Sequence, residues 1–76
     1  MNNARRKSIT DLVQKIAEIK ADFESLRDEE QEYFDNMPEA LQGGDKGQAA
    51  ENAIDQLETA IDNLDEAISS AEGAAE

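Results

Sequence analysis

Residues 53–73 are three consecutive heptads that nearly repeat: Ala53-Ile54-Asp55-Gln56-Leu57-Glu58-Thr59, Ala60-Ile61-Asp62-Asn63-Leu64-Asp65-Glu66 and Ala67-Ile68-Ser69-Ser70-Ala71-Glu72-Gly73. Ile and Leu recur three and four residues apart, so they stack along one side of an α-helix. A second stripe occupies the first half of the chain: Ile9, Leu12, Ile16, Ile19, Phe23, Leu26, Glu30, Tyr33 and Met37. Its steps alternate three and four without a slip, which is a heptad seam interrupted by Glu30. Gln14, Lys15, Glu18, Lys20, Asp22 and Glu24 between them are helix formers or solvated charges. The pattern predicts one helix over about residues 4–36, roughly 50 Å long at ~1.5 Å per residue. Ser8 with Asp11 offers a second start at Ile9, which leaves Arg5-Arg6-Lys7 as a frayed arm.

Punctuation follows. Pro38 does not continue a helix and disfavours helical geometry at Met37. Asn36 reads as a new N-cap with Glu39 closing a capping box, so Pro38–Gln42 is about one helical turn. Gly43-Gly44-Asp45-Lys46-Gly47 reads as the one true loop, with three glycines free to take positive φ. A second long helix is expected over about residues 48–72, ended by Gly73. The fold class is all-α: a single domain over 1–76, built as a coiled-coil-like, two-helix antiparallel hairpin with a short helical piece in the 37–47 turn. The expected register sets Tyr33 near Ala50, Leu26 near Ile54, Phe23 near Leu57, Ile19 near Ile61, Ile16 near Leu64 and Leu12 near Ile68. Ala53, Ala60 and Ala67 beside the second stripe let another helix approach. Val13, Ala17 and Phe34 lie off the first seam and are expected to face one.

A two-helix core is small for a chain of 76 residues, and such chains usually draw on disulfides, metal or oligomerisation. The chain has no Cys and no His. That excludes disulfides, a Cys/His zinc site and every Cys- or His-based mechanism. Oligomerisation is left, and a homodimeric four-helix bundle is the expected assembly, with docking on an unrelated partner and a marginal monomer as the alternatives. No apolar run follows the basic N-terminus, so a secretory signal is not expected. No stretch approaches the ~20 apolar residues of a membrane span.

Acidic residues number 19 against 7 basic, a net charge of −12. The charge is uneven. Arg5, Arg6, Lys7, Lys15 and Lys20 outweigh Asp11 and Glu18 in residues 1–20, and from Asp22 onward acid dominates. Such a surface repels nucleic acid and anionic lipid, so neither direct nucleic-acid binding nor membrane binding is expected. It favours a basic protein partner, including one that itself binds DNA or RNA. The same acid also serves plain solubility.

Asp28-Glu29-Glu30-Gln31-Glu32-Tyr33-Phe34-Asp35 is the densest acidic segment and holds two of the three aromatics. As a docking surface it presents Asp28, Glu29, Glu32 and Asp35 to a basic partner, with Phe34 as an apolar anchor. Otherwise it is a solvated helix end, with Tyr33 and Phe34 closing the core. Asp55, Glu58, Asp62, Asp65 and Glu66, with Glu72 beyond, form a row at short helical steps that resembles phosphates along a duplex. Glu29-x-x-Glu32 with Asp55-x-x-Glu58 resembles the carboxylate pairs with which all-helical nucleotide pyrophosphatases bind magnesium. That reading requires the four carboxylates to converge across the hairpin. No cofactor is expected. Arg5-Arg6-Lys7 is expected to offset the acidity of Glu72 and Glu76 at the other chain end.

Taken together, Asn2 with Arg5-Arg6-Lys7, the run Asp28–Gln42, the Gly-containing turn and the Ala-Ile-Asp-x-Leu repeats resemble a group of small helical proteins encoded by bacteriophages and prophages. Residues 29–42 carry the most specific part of the likeness. The resemblance implies a phage product acting in the bacterial cytoplasm, and it carries over no functional residues. The expected function is a non-enzymatic protein–protein interaction module that binds or inhibits a host protein. An acidic nucleic-acid mimic that blocks a defence enzyme is the alternative, and a magnesium-dependent nucleotide hydrolase is a further one.

Overall fold

The computed structural model describes residues 1–76 and is all-helical, with 88% of residues in helix and no strand. Three elements follow in order: α1 (Asn3–Asp35), α2 (Glu39–Gln42) and α3 (Asp45–Ala74). The molecule measures 58 × 15 × 12 Å, with a radius of gyration of 17.3 Å. A compact chain of this length has a radius near ~11 Å, so this one is a rod.

Helix α1 begins at a side-chain cap. Asn2 Oδ1 accepts from the Arg5 amide at 2.8 Å, satisfying one of the orphan donors of the first turn. Ser8 is inside the helix, and its hydroxyl donates to the Ala4 carbonyl at 3.1 Å. The basic residues are therefore helical, not a frayed arm. They form no ion pair with Glu72 or Glu76; Lys7 reaches Asp11 at 3.3 Å instead. Asn36 ends α1, its amide donating to the Glu32 and Phe34 carbonyls.

The corner is tighter than the glycines suggest. Only Gly43 and Gly44 separate α2 from α3, and no glycine takes a positive φ. Helix α3 starts at Asp45, three residues earlier than expected, with an acid in its first turn where the helix dipole favours one. Gly47 lies inside that first stretch and is buried. Gln42 ties the corner to α1: its side-chain amide donates to the carbonyls of Phe34 at 3.2 Å and Met37 at 3.3 Å. Gly73 does not stop α3, which runs on to Ala74 and is capped at Ala75.

Helices α1 and α3 pack side by side in opposite directions. Ile9 and Val13 share a groove with Glu72 and Ala75; Phe34 shares one with Glu51 and Ile54. Between these ends Lys20 pairs with Asp65 at 2.7 Å. This register differs from the expected one by about a helical turn, because residue 20 is level with residue 65 whereas Ile19 was expected at Ile61. The core is thin. Ala50 (2% exposed), Ile54 (7%) and Ile61 (5%) are the buried apolar residues, all on α3. No residue of α1 is fully buried.

Candidate functional site

Three columns run along α1 at seven-residue intervals. Ile9, Ile16, Phe23 and Glu30 form the middle one and are half-buried. On the side that meets α3 stand Val13, Lys20, Arg27 and Phe34, also half-buried. The third column, Leu12, Ile19, Leu26 and Tyr33, is 57%, 49%, 51% and 50% exposed. This corrects the sequence reading, which placed the third column in the seam and left Val13 and Phe34 outside it. The cause is charge and register together. Lys20 lies on the packed side, and its long stem crosses the seam to bring the ammonium to Asp65. Side-chain exposures of 26% for Lys20 and 52% for Asp65 describe a pair at the seam's edge. The hydrogen bond that Lys20 donates to Asp65, aided by the charges of Asp65 and Glu24, raises the Lys20 pKa above 10.5 despite the opposing desolvation. Arg27 turns to its neighbour Asp28 at 3.0 Å. Ala17 is exposed.

The grooves assign the flanks of the helix pair. Tyr33 and Lys46 line one groove of about 320 Å³ with Met37 and Leu41. Gln31 and Glu51 line another, beside Phe34 and Ile54. Stepping by sevens from these residues sorts both helices. In an antiparallel pair, positions flanking the seam on one helix lie beside like positions of the other. Leu12, Ile19, Leu26 and Tyr33 therefore share a flank with Ala74, Ala67, Ala60 and Ala53, matched level by level in that order. Ala53 and Ala60 are half-buried; Ala67 and Ala74 are exposed.

This flank is also where α3 carries no acid. The alanine column and its outer neighbours Ala49, Gln56, Asn63 and Ser70 hold no carboxylate between Lys46 and Ala74. Glu51, Glu58, Asp65 and Glu72 stand on the opposite flank, and Asp55, Asp62 and Glu66 stand on the back of α3. The sequence does contain this information: Ala53, Ala60 and Ala67 open successive heptads. What it leaves open is which large column of α1 keeps them company.

The acidic candidates are placed as follows. Asp28, Glu29, Glu32 and Asp35 are exposed on faces of α1 turned away from α3. Asp28 is held by Arg27, and Asp35 accepts from the Gln31 side chain at 2.9 Å. Phe34 is half-buried in the seam, not an exposed anchor. Asp55, Glu58, Asp62, Asp65 and Glu66 are exposed on α3. The convergence needed for a magnesium site is not present. Glu29 and Glu32 leave α1 on its outer faces while Asp55 and Glu58 belong to α3, and no three carboxylates gather in a metal-binding cluster. No helix is long and apolar enough to cross a membrane. Protein-family models, curated proteins and solved structures give no match to this chain.

Proposed function

We propose that this chain is a non-enzymatic protein–protein interaction module, a two-helix hairpin that binds another polypeptide through its apolar flank. The observation that carries the reading is the column Leu12, Ile19, Leu26 and Tyr33, half in water beside four alanines. The surface area supports it. The chain exposes 5484 Å², whereas a compact monomer of 8.3 kDa exposes about 4,600 Å². The excess of about 900 Å² is what one partner contributes to a standard protein interface. The resemblance in residues 29–42 supports a phage product acting in the bacterial cytoplasm on a host protein.

A photocrosslinking amino acid in place of Leu26, expressed in bacteria, tests this. It is expected to yield a covalent adduct with a polypeptide, while the same group in place of Glu66 on the back of α3 yields none. Absence of an adduct from position 26 overturns the reading.

A second reading draws on a different face. The carboxylates of α3 collect on the back and on the flank opposite the alanines, and Asp55, Glu58, Asp62, Asp65 and Glu66 stay exposed there. That supports an acidic mimic that enters the basic groove of a DNA- or RNA-binding protein. Such binding weakens steeply with added salt and competes with DNA. A partner held equally well at low and high salt removes this reading.

A further inference from the structure

We infer that the polypeptide covering the apolar flank is a second copy of this chain, with the large column of each α1 seated on the alanine column of the other copy's α3. The inference rests on the interaction reading and names its partner.

The flank is complementary to itself in shape. Large and small columns stand on one face at matched levels. A two-fold axis parallel to the helices brings α1 of one copy over α3 of the other without changing level. Each large side chain then faces an alanine: Leu26 faces Ala60, and Ile19 faces Ala67. Four large residues against four more would force the helices apart, while alanine lets a helix approach to the 8–10 Å of ordinary packing. The flank spans about 32 Å of helix and about two helix widths, so it offers roughly 600 Å² per copy, the lower end of a standard interface. That accounts for about two thirds of the excess surface of the free chain.

Charge fits this arrangement as well. A chain of −12 meets its own copy at least cost through a face lacking carboxylates, and the α3 half of this flank lacks them. The rim charges of α1 are Lys15, Asp22 and Glu29. At matched levels they come opposite Ser70, Asn63 and Gln56, which offer hydrogen bonds and no like charge. The flank opposite, lined by Glu51, Glu58, Asp65 and Glu72, has no such partner in a second copy.

Sedimentation of the purified chain at about 100 µM, a concentration that populates even micromolar dimers, is the test. The expected mass is twice 8.3 kDa. Leu26→Glu and Ala67→Glu place a charge on the flank, outside the seam. Each is expected to keep its helical circular dichroism and to raise the concentration needed for pairing at least about tenfold. The chain has no native cysteine, so single cysteines report geometry. A Leu26→Cys chain mixed with an Ala60→Cys chain is expected to form a disulfide between copies, and Leu26→Cys alone is not. A wild-type mass of one chain overturns the pairing; a crosslink from position 26 to a different protein in cells then leaves the interaction reading standing. A dimer indifferent to both glutamates, or one that crosslinks through Leu26→Cys alone, overturns the arrangement.

Discussion

Gly47→Ala is the sharpest test of the corner between α2 and α3. In most helices this change is favourable by about 0.5–1 kcal/mol, because glycine loses more backbone freedom on folding. Here a Cβ at position 47 would collide with the Gln42 carbonyl and lie 2.7 Å from its Cα. These are backbone atoms, so no rotamer change relieves the contact. The end of α2 has to move, and Gln42 then loses its grip on the Phe34 and Met37 carbonyls. Overpacking of this kind costs about 1–3 kcal/mol, and a lost hydrogen bond adds about 1 kcal/mol. After subtracting the propensity gain, a net loss of about 1–3 kcal/mol is expected. Gly73→Ala is the matched control: its Cβ meets nothing within 4 Å, so the propensity gain stands alone. In a chain this small 1 kcal/mol moves Tm by about 4–8 °C. Thermal melts followed by circular dichroism, at one protein concentration, should show Gly47→Ala melting below wild type and Gly73→Ala above it. If Gly47→Ala melts at or above wild type, the close approach of α3 to Gln42 is wrong.

Further outcomes follow from burial and charge. Ile61→Glu buries an unpaired charge at the best-covered Ile of the seam's middle and should unfold the chain; Leu57→Glu, half-buried, should cost less, and Leu26→Glu should leave helicity intact. Equal helicity in all three would refute the assignment of seam and flank. Gln42→Ala is expected to lower stability by about 1 kcal/mol, read by urea titration, and an unchanged midpoint would show that the Gln42 hydrogen bonds do not hold the corner. Lys20 has a folded pKa raised above 10.5 by Asp65. Its contribution is therefore fully present below 10.5 and is lost as pH rises through the folded value. The stability difference between wild type and Lys20→Met should shift against wild type as pH rises above 10.5; a difference flat with pH would refute the pairing.

The sequence showed the two long helices and the break between them because both signals are local. Heptad spacing survives whatever the chain packs against, and Pro38 ends α1 through its own geometry. It also showed the alanine column. It did not show which side of α1 meets α3. Leu12, Ile19, Leu26 and Tyr33 are more apolar than Val13, Lys20, Arg27 and Phe34, so hydropathy alone selects the wrong column. The packed side is chosen by features that hydropathy treats as unfavourable: the stem of Lys20 and its reach to Asp65. Gly47 misled for the opposite reason. Its lack of a side chain serves a close approach of two backbones, and only the folded corner reveals that; the sequence offers a loop glycine just as readily.

The same seven-residue unit that builds the seam also sets where charge lies in an assembly, and this decides the sign of its salt dependence. In Ala-Ile-Asp-x-Leu, alanine takes the flank, Ile and Leu the seam, and Asp the back. Two copies joined across the alanine flank carry twice the charge of −12, yet their α3 carboxylates point outward from the join. With helices 8–10 Å apart, the acidic faces of the two copies are separated by roughly 20–30 Å. That distance exceeds the ~8 Å Debye length at physiological ionic strength and is comparable to the ~30 Å length at 0.01 M. Repulsion therefore spans the dimer only in dilute salt. Self-association should strengthen as salt rises from about 10 to 150 mM and level off beyond. Docking of the acidic face on a basic groove has the reverse sign, weakening throughout. Sedimentation across that salt series separates the two, and a dimer that loosens as salt is added would show that pairs of opposite charge, and not the alanines, hold the copies together.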